Sequence, residues 1–237
     1  MRVFLAGAAG VIGRRLAGLL RHADYDVIGT TRAAGKTGML HAIGVTPVVV
    51  DVFDADAVAL AVTTANPDII IHQLTDLPSA PGTPGYPAAL EANRRLRIEG
   101  TANLMRAAKR AGVRRAIAQS IAFLYAPGEG TRTEDDPLDT EGVRQATAQG
   151  IVALERAVLE TPGIDGVVLR YGYLYGPDTW YAAPPKPPSV HVDAAAQAAL
   201  LAVSRGAGVY NIAEDDGAVA IAKAARELGF DPGFRMA

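Results

Sequence analysis

The stretch LAGAAGVIGRRLAGLL, Leu5–Leu20, decides the fold. A short apolar run, Arg2–Ala6, breaks off at Gly7, and apolar residues then recur at Val11, Ile12, Leu16, Leu19 and Leu20. The run reads as a buried strand, and the spacing after it as a helix with one apolar face. Between them Gly7, Gly10 and Gly13 form a G-x-x-G-x-x-G pattern. Gly7 lets the chain turn sharply off the strand, Gly10 lets the backbone approach a pyrophosphate at the helix N-terminus, and Gly13 lets helix and strand pack closely. Glycines alone also suit a plain tight turn. Their position between the first strand and the first helix points to nucleotide binding, with Ala9, Val11 and Ile12 in the same loop.

Outward from this unit, apolar strands alternate with amphipathic helices. Strands are expected at Asp26–Thr31, Thr46–Val52, Pro67–Leu74, Arg114–Ser120, Asp165–Gly172 and Gly208–Ala213. Helices are expected from Asp54, a good N-cap, over Ala88–Ala111 as one long helix stopped by Gly112, and over Gly142–Glu160. Two more follow near Asp193–Val203 and Ala218–Leu228, while the proline-rich stretches Pro78–Pro87 and Ala182–Pro188 read as loops. The pattern predicts an α/β fold, a doubly wound parallel sheet with strands in the order 3-2-1-4-5-6.

Composition narrows the function. The chain has 237 residues, 49% of them apolar, and a formal charge of −2, so no global field favours nucleic acid or an anionic membrane. The absence of cysteine excludes disulfides, thiol catalysis and thiolate metal sites. His72 and His191 lie in stretches that read as scaffold, and no clustered ligand spacing supports a metal. Arg14 and Arg15 interrupt the apolar N-terminal region, which fits neither a signal peptide nor a membrane span, and a cytoplasmic protein is expected.

The end of strand two chooses between cofactors. An acidic residue there would bond the ribose hydroxyls of NAD. This chain has Thr30, Thr31 and Arg32, then Lys36, and cations suit the extra 2′-phosphate of NADP. NADP is therefore expected over NAD. Asp51 and Val52, at the end of strand three, are placed beside the adenine by their position in the fold.

GAAGVIG, DVFDADAV, PDIIIHQLT, EGTANLMRAAKRAGVRRAIAQS, LRYGYLYGP and HVDAAAQAAL together resemble the short-chain dehydrogenase/reductase superfamily, in its extended branch of NAD(P)-dependent epimerases and dehydratases. The resemblance implies that Gln73, Leu74 and Thr75 run along the cofactor, that Tyr171 lies near the nicotinamide, and that Tyr173 points at substrate. It implies an NAD(P)-binding Rossmann domain over residues 1–172 and a small C-terminal substrate-binding portion over 173–237, packed on the first. That portion is reduced, since only fourteen residues join Gly176 to His191. A homodimer through the helices 88–111 and 142–160 is likewise implied.

The family's chemistry uses a tyrosine with a lysine four residues on, in the helix before strand six. Here that helix, GVRQATAQGIVALERAVLE, contains neither, and the matching positions hold Thr147 and Ile151. The chain is therefore an atypical member. Ser120 stands at the end of strand five, where the family's serine bonds the reacting oxygen, although the register could shift by one to Ile121. Tyr125 is a candidate substitute acid, and Trp180 lines the expected pocket mouth with the tyrosines around it. Two functions follow. One is an NADP-dependent oxidoreductase or epimerase/dehydratase-like enzyme acting on a small carbonyl or hydroxyl compound through a non-standard proton donor. The other is a catalytically inactive NADP(H)-binding sensor or structural protein.

Overall fold

The computed structural model describes residues 1–236. Its main sheet has seven parallel strands in the order β3-β2-β1-β4-β5-β6-β9. These are β1 (Arg2–Ala6), β2 (Asp26–Thr31), β3 (Thr46–Val49), β4 (Ile69–His72), β5 (Arg115–Ile121), β6 (Asp165–Tyr171) and β9 (Gly208–Ile212). The expected order is present, and β9 extends it by pairing with β6 from Val167↔Gly208 to Tyr171↔Ile212.

Side-chain alternation along each strand sorts the core onto two faces. Leu5, Ile69, Ile71, Ile117, Val167 and Leu169 face one way. There they meet α1 (Val11–His22), α7 (Val192–Leu201) and α8 (Ala222–Leu228). Phe4, Ile70, Ala116, Ala118 and Val168 face the other way, onto α3 (Ala55–Ala65), α5 (Thr101–Arg110) and α6 (Gln145–Leu159). A sheet buried on both faces explains why its central strands read as unbroken apolar runs. Alanines at 194, 195, 196, 198 and 199 let α7 lie close on α1.

Several elements differ from expectation. β3 ends at Val49, because Asp51 turns the chain by accepting from Phe53 N–H at 3.0 Å, and Asp54 then caps α3 by accepting from Ala57 N–H at 2.9 Å. The long helix is interrupted: α4 (Tyr86–Arg95) passes through a π-helical turn, Leu96–Gly100, before continuing as α5. α6 is preceded by a 3₁₀ turn at 142–144. α8 starts at Ala222, since residues 218–220 are held by backbone bonds to Arg132. A short α2 (Thr37–Ala42) and a parallel pair, β7 (Tyr173–Tyr175) with β8 (Ser189–His191), complete the molecule. Both were too short for a periodicity to show.

Candidate functional site at the carboxyl ends of the strands

The chain leaves β1 for β2 on one side and returns from β3 to β4 on the other. The carboxyl ends of β1 and β4 therefore splay apart, the place where open α/β sheets bind ligands. Two adjoining cavities of about 250 Å³ and about 270 Å³ open there. Gly10, Gln73 and Thr75 line both, so they form one crevice. Each falls short of the ~300–1,000 Å³ of small-molecule sites, and joined they reach it.

The first cavity is built by the glycine loop. Gly7 adopts φ +89°, and a Cβ there would stand 2.8 Å from the Gln73 carbonyl oxygen. Gly10 caps α1 with no side-chain bond to the helix N–H groups, which leaves them free toward the crevice. Gly13 packs so closely that a Cβ would come within 2.1 Å of the Gly7 carbonyl oxygen. Ala9, Thr31, Arg32, Lys36, Asp51 and Val52 line the same cavity, with Leu74 beside them. Arg32, its side chain 63% exposed, reaches Asp76 at 3.4 Å. The Asn103 side-chain amide donates to the Val52 carbonyl at 2.8 Å and fixes the loop after β3.

The second cavity receives Val11, Ile12, Ser120, Ile121, Tyr171 and Tyr173. Tyr173 stacks on Phe123 at 3.9 Å between centroids, and Lys186 covers it at 4.9 Å. Trp180, 46% exposed, stands at the rim with its edge toward Tyr86. Gln73 is buried, and its amide donates to the Tyr171 hydroxyl at 3.4 Å. Gln73 Oε1 has no partner among the described residues. A buried acceptor left unpaired costs about 1–3 kcal/mol, and this one belongs to a residue that lines both cavities.

The hydroxyls at the floor are already engaged or neutral. Ser120 Oγ–H donates to Glu155 Oε1 at 2.6 Å, and Glu155 is clamped by Arg170 through bonds of 2.9 and 2.7 Å. Burial pushes the Tyr171 phenol up, which keeps it protonated. Tyr125 stands outside both cavities. Its hydroxyl donates to Asn211 Oδ1 at 2.6 Å and accepts from Arg170 at 2.9 Å, so it completes the buried network behind Ser120. Thr147 and Ile151 supply no acid, and Ile151 is packed with Leu124 and Ala148. His72 accepts from Leu74 N–H at 3.2 Å and contacts Thr101 Oγ1 at 2.9 Å, pinning the end of β4. Burial, helped by the charge of Arg97, pulls His72 down to about 4. His191 caps α7 by accepting from Asp193 N–H at 3.2 Å. Among the described residues no acidic, histidine or cysteine cluster could hold a metal.

Arg97 is the residue that local reading missed. It lies on the π turn, is 6% exposed and lines the second cavity. A signal was present: Asn93, Arg97 and Thr101 recur every four residues and form a polar stripe on the buried side of an otherwise amphipathic helix.

A crevice with this glycine loop at the switch point of this sheet defines a dinucleotide-binding Rossmann protein. More particularly, the chain belongs to the NAD dependent epimerase/dehydratase family, whose profile matches residues 3–202. It is 39% identical over 259 aligned positions to a Streptomyces protein named 3-diazoavenalumate denitrifying reductase, covering 98% of this chain and 83% of that protein. It shares its fold with WbmG of Bordetella bronchiseptica in complex with NAD and UDP (TM-score 0.77, 18% identity, 100% of this chain and 91% of the other). The UDP-glucose 4-epimerase of Thermotoga maritima is similar in the same way (TM-score 0.76, 18% identity, 99% and 94%). The family is NAD(P)-dependent, and the residues present fit a nicotinamide dinucleotide. The glycine cradle would be filled by any Cβ, the N-terminus of α1 is uncapped by side chains, and Gln73 Oε1 awaits a donor. No helix of the described residues is long and apolar enough to cross a membrane.

Proposed function

We propose that this protein is an NADPH-dependent reductase of a small aromatic electrophile whose leaving group departs as it is reduced, an aryl diazo compound being the leading case. One observation carries the reading: the positions where the family's serine and tyrosine would act offer no free acid. Ser120 is engaged as a hydrogen-bond donor to Glu155, burial makes the Tyr171 phenol a weaker acid, and α6 has neither tyrosine nor lysine. A carbonyl accepts hydride only as a proton or cation meets its oxygen, which is the task of a general acid. A reduced nicotinamide held by the glycine loop and the Gln73–Thr75 segment would supply hydride; on an aryl diazonium carbon a C–H bond would form as the C–N bond breaks and dinitrogen leaves, so atoms and charge balance with no proton from the protein.

What the chain contributes is position and exclusion of water. Gln73 and Tyr171 set one wall, the stacked Phe123–Tyr173 pair another, and Trp180 with Tyr86 shields the mouth. Flat aromatic walls suit a flat substrate. The name of the Streptomyces relative supports the diazo case. Arg32 and Lys36, with no carboxylate at the end of β2, support NADP over NAD. Val152 and Leu159, exposed on the outward side of α6, support pairing of two copies through this helix and α4–α5.

The test is to mix purified protein, NADPH and para-carboxybenzenediazonium and to follow nicotinamide absorbance together with dinitrogen release, against a protein-free control. Acceleration of both in equal amounts, with deuterium from C4-labelled NADPH appearing on the arene carbon, is the expected result. Tight NADPH binding without acceleration would favour the binding-protein reading, for which the missing tyrosine–lysine pair also speaks. Acceleration confined to ketone substrates would overturn the argument from the absent acid.

A further inference from the structure

A buried guanidinium needs an anion. Carrying a charge out of water costs several kcal/mol, and proteins offset this with a carboxylate or a set of carbonyl acceptors. The other buried charges near the crevice have such partners: Arg170 and Glu155 hold each other, and Asp193 holds Arg15 at 2.9 Å. Arg97 has neither an ion pair nor a hydrogen bond to any of the described residues. Its neighbours are poor substitutes. Glu155 and Tyr86 act on it only across space, and His72, buried against it, is held neutral. Burial draws Arg97 down to about 10, so it remains a cation at neutral pH.

Its backbone setting aims it. A π turn places one extra residue in the helix and re-directs the side chain that follows, and such turns gather at functional sites. Here the turn lies between Leu96, which packs against the first cavity, and Gly100, where a Cβ would stand 2.9 Å from Val52. Arg97 thereby lines the second cavity with Ser120, Gln73 and Tyr171, all of them buried, while Trp180 marks the exposed rim.

We infer that Arg97 is the substrate anchor of the crevice, binding a carboxylate of an aromatic substrate at the inner end of the second cavity. The inference rests on the reductase reading for its aromatic substrate, but its test requires no turnover. A planar guanidinium takes a carboxylate through two parallel bonds, which fixes the orientation of the ring as well as its position. Pairing with an anion also offsets the desolvation of the guanidinium.

The test compares cinnamate with its neutral isostere cinnamamide, titrated by calorimetry into protein saturated with NADP⁺. Wild type is expected to prefer cinnamate by about 10- to 100-fold, the range of a charge-assisted pair. Arg97→Met should abolish the preference and Arg97→Lys should retain part of it. NADPH affinity, measured on cofactor-free aliquots of the same preparations, should stay within about twofold and so report an intact fold. Equal binding of the two probes to wild type, binding of neither, or a loss of NADPH affinity matching the loss of cinnamate would overturn the assignment. Failure of the diazo assay with the cinnamate preference intact would reject the proposed reaction and leave the anion anchor standing.

Discussion

Replacing Arg32 by alanine tests the cofactor preference at one atom group. Arg32 lines the first cavity where the adenosine ribose of a dinucleotide bound at the switch point would lie, and its side chain is 63% exposed. Water therefore screens it, and the solvent dielectric is the right one to use: unit charges ~4 Å apart then interact by ~1 kcal/mol. A phosphate monoester carries a charge of about −1.5 to −2, so the contact is worth ~2 kcal/mol, or about 30-fold in affinity. Asp76 works against it. It already pairs with Arg32 at 3.4 Å, and part of that pair must be given up when phosphate arrives. Arg32→Ala is thus expected to weaken NADPH about 30-fold while leaving NADH within about twofold, with Lys36 preserving a residual preference. Asp76→Ala should tighten NADPH a few-fold, because it frees the guanidinium. Nicotinamide fluorescence titrations at low and high salt measure all of this, and the Arg32 effect should shrink as salt rises. Equal losses for NADPH and NADH would mean that Arg32 holds a part common to both. No loss for either would place the 2′-phosphate elsewhere and refute the reasoning.

Three further outcomes are expected. Gly13→Ala puts a methyl 2.1 Å from the Gly7 carbonyl oxygen, so despite alanine's advantage in a helix of ~1 kcal/mol it should destabilise by ~1–3 kcal/mol and lose most dinucleotide affinity; a stabilised variant in urea melts would contradict the packing. Glu155→Gln strands the buried Arg170 and should cost ~3–5 kcal/mol, whereas Ser120→Ala, which removes one hydrogen bond to the same carboxylate, should cost ~1–2 kcal/mol; similar midpoint shifts for the two would show that the ion pair is not the central contact. His72 is depressed in the folded state from 6.5 to about 4, so its contribution is fully present above pH 6.5 and is lost as pH falls toward 4, by ~3 kcal/mol in all. His72→Gln should flatten that part of the stability–pH curve, and an unchanged slope in urea melts across the window would reject the assignment.

Much of the fold was legible because it is written in short-range terms. β1, β2 and the Asp54 cap appear where periodicity and capping chemistry put them, and Gly112, at φ +72°, stops α5. The glycine loop, Arg32, Lys36, Asp51 and the Gln73–Thr75 turn all line the crevice, since their places follow from strand order alone. What local reading could not reach is pairing between distant positions. Tyr125 looks like a free acid on a loop until Asn211, eighty-six positions away, accepts from its hydroxyl. Ser120 looks like a donor to substrate until Glu155 accepts its hydrogen bond. Neither partner leaves a trace in the residues flanking the other.

These two pairings change the meaning of the missing tyrosine–lysine motif. With Ser120 free and Tyr125 in the crevice, the loss of one acid would be a substitution within the same chemistry. With both drawn into the Glu155–Arg170 network, neither is free to hand a proton to a bound substrate. The charge that remains is Arg97, a cation that cannot serve as an acid near neutrality and has no protein anion to hold. On the proposed reductase reading, such a site discriminates by what it declines to supply. That reading predicts a substrate that brings its own negative group for anchorage and its own leaving group for driving force, and a simple ketone brings neither.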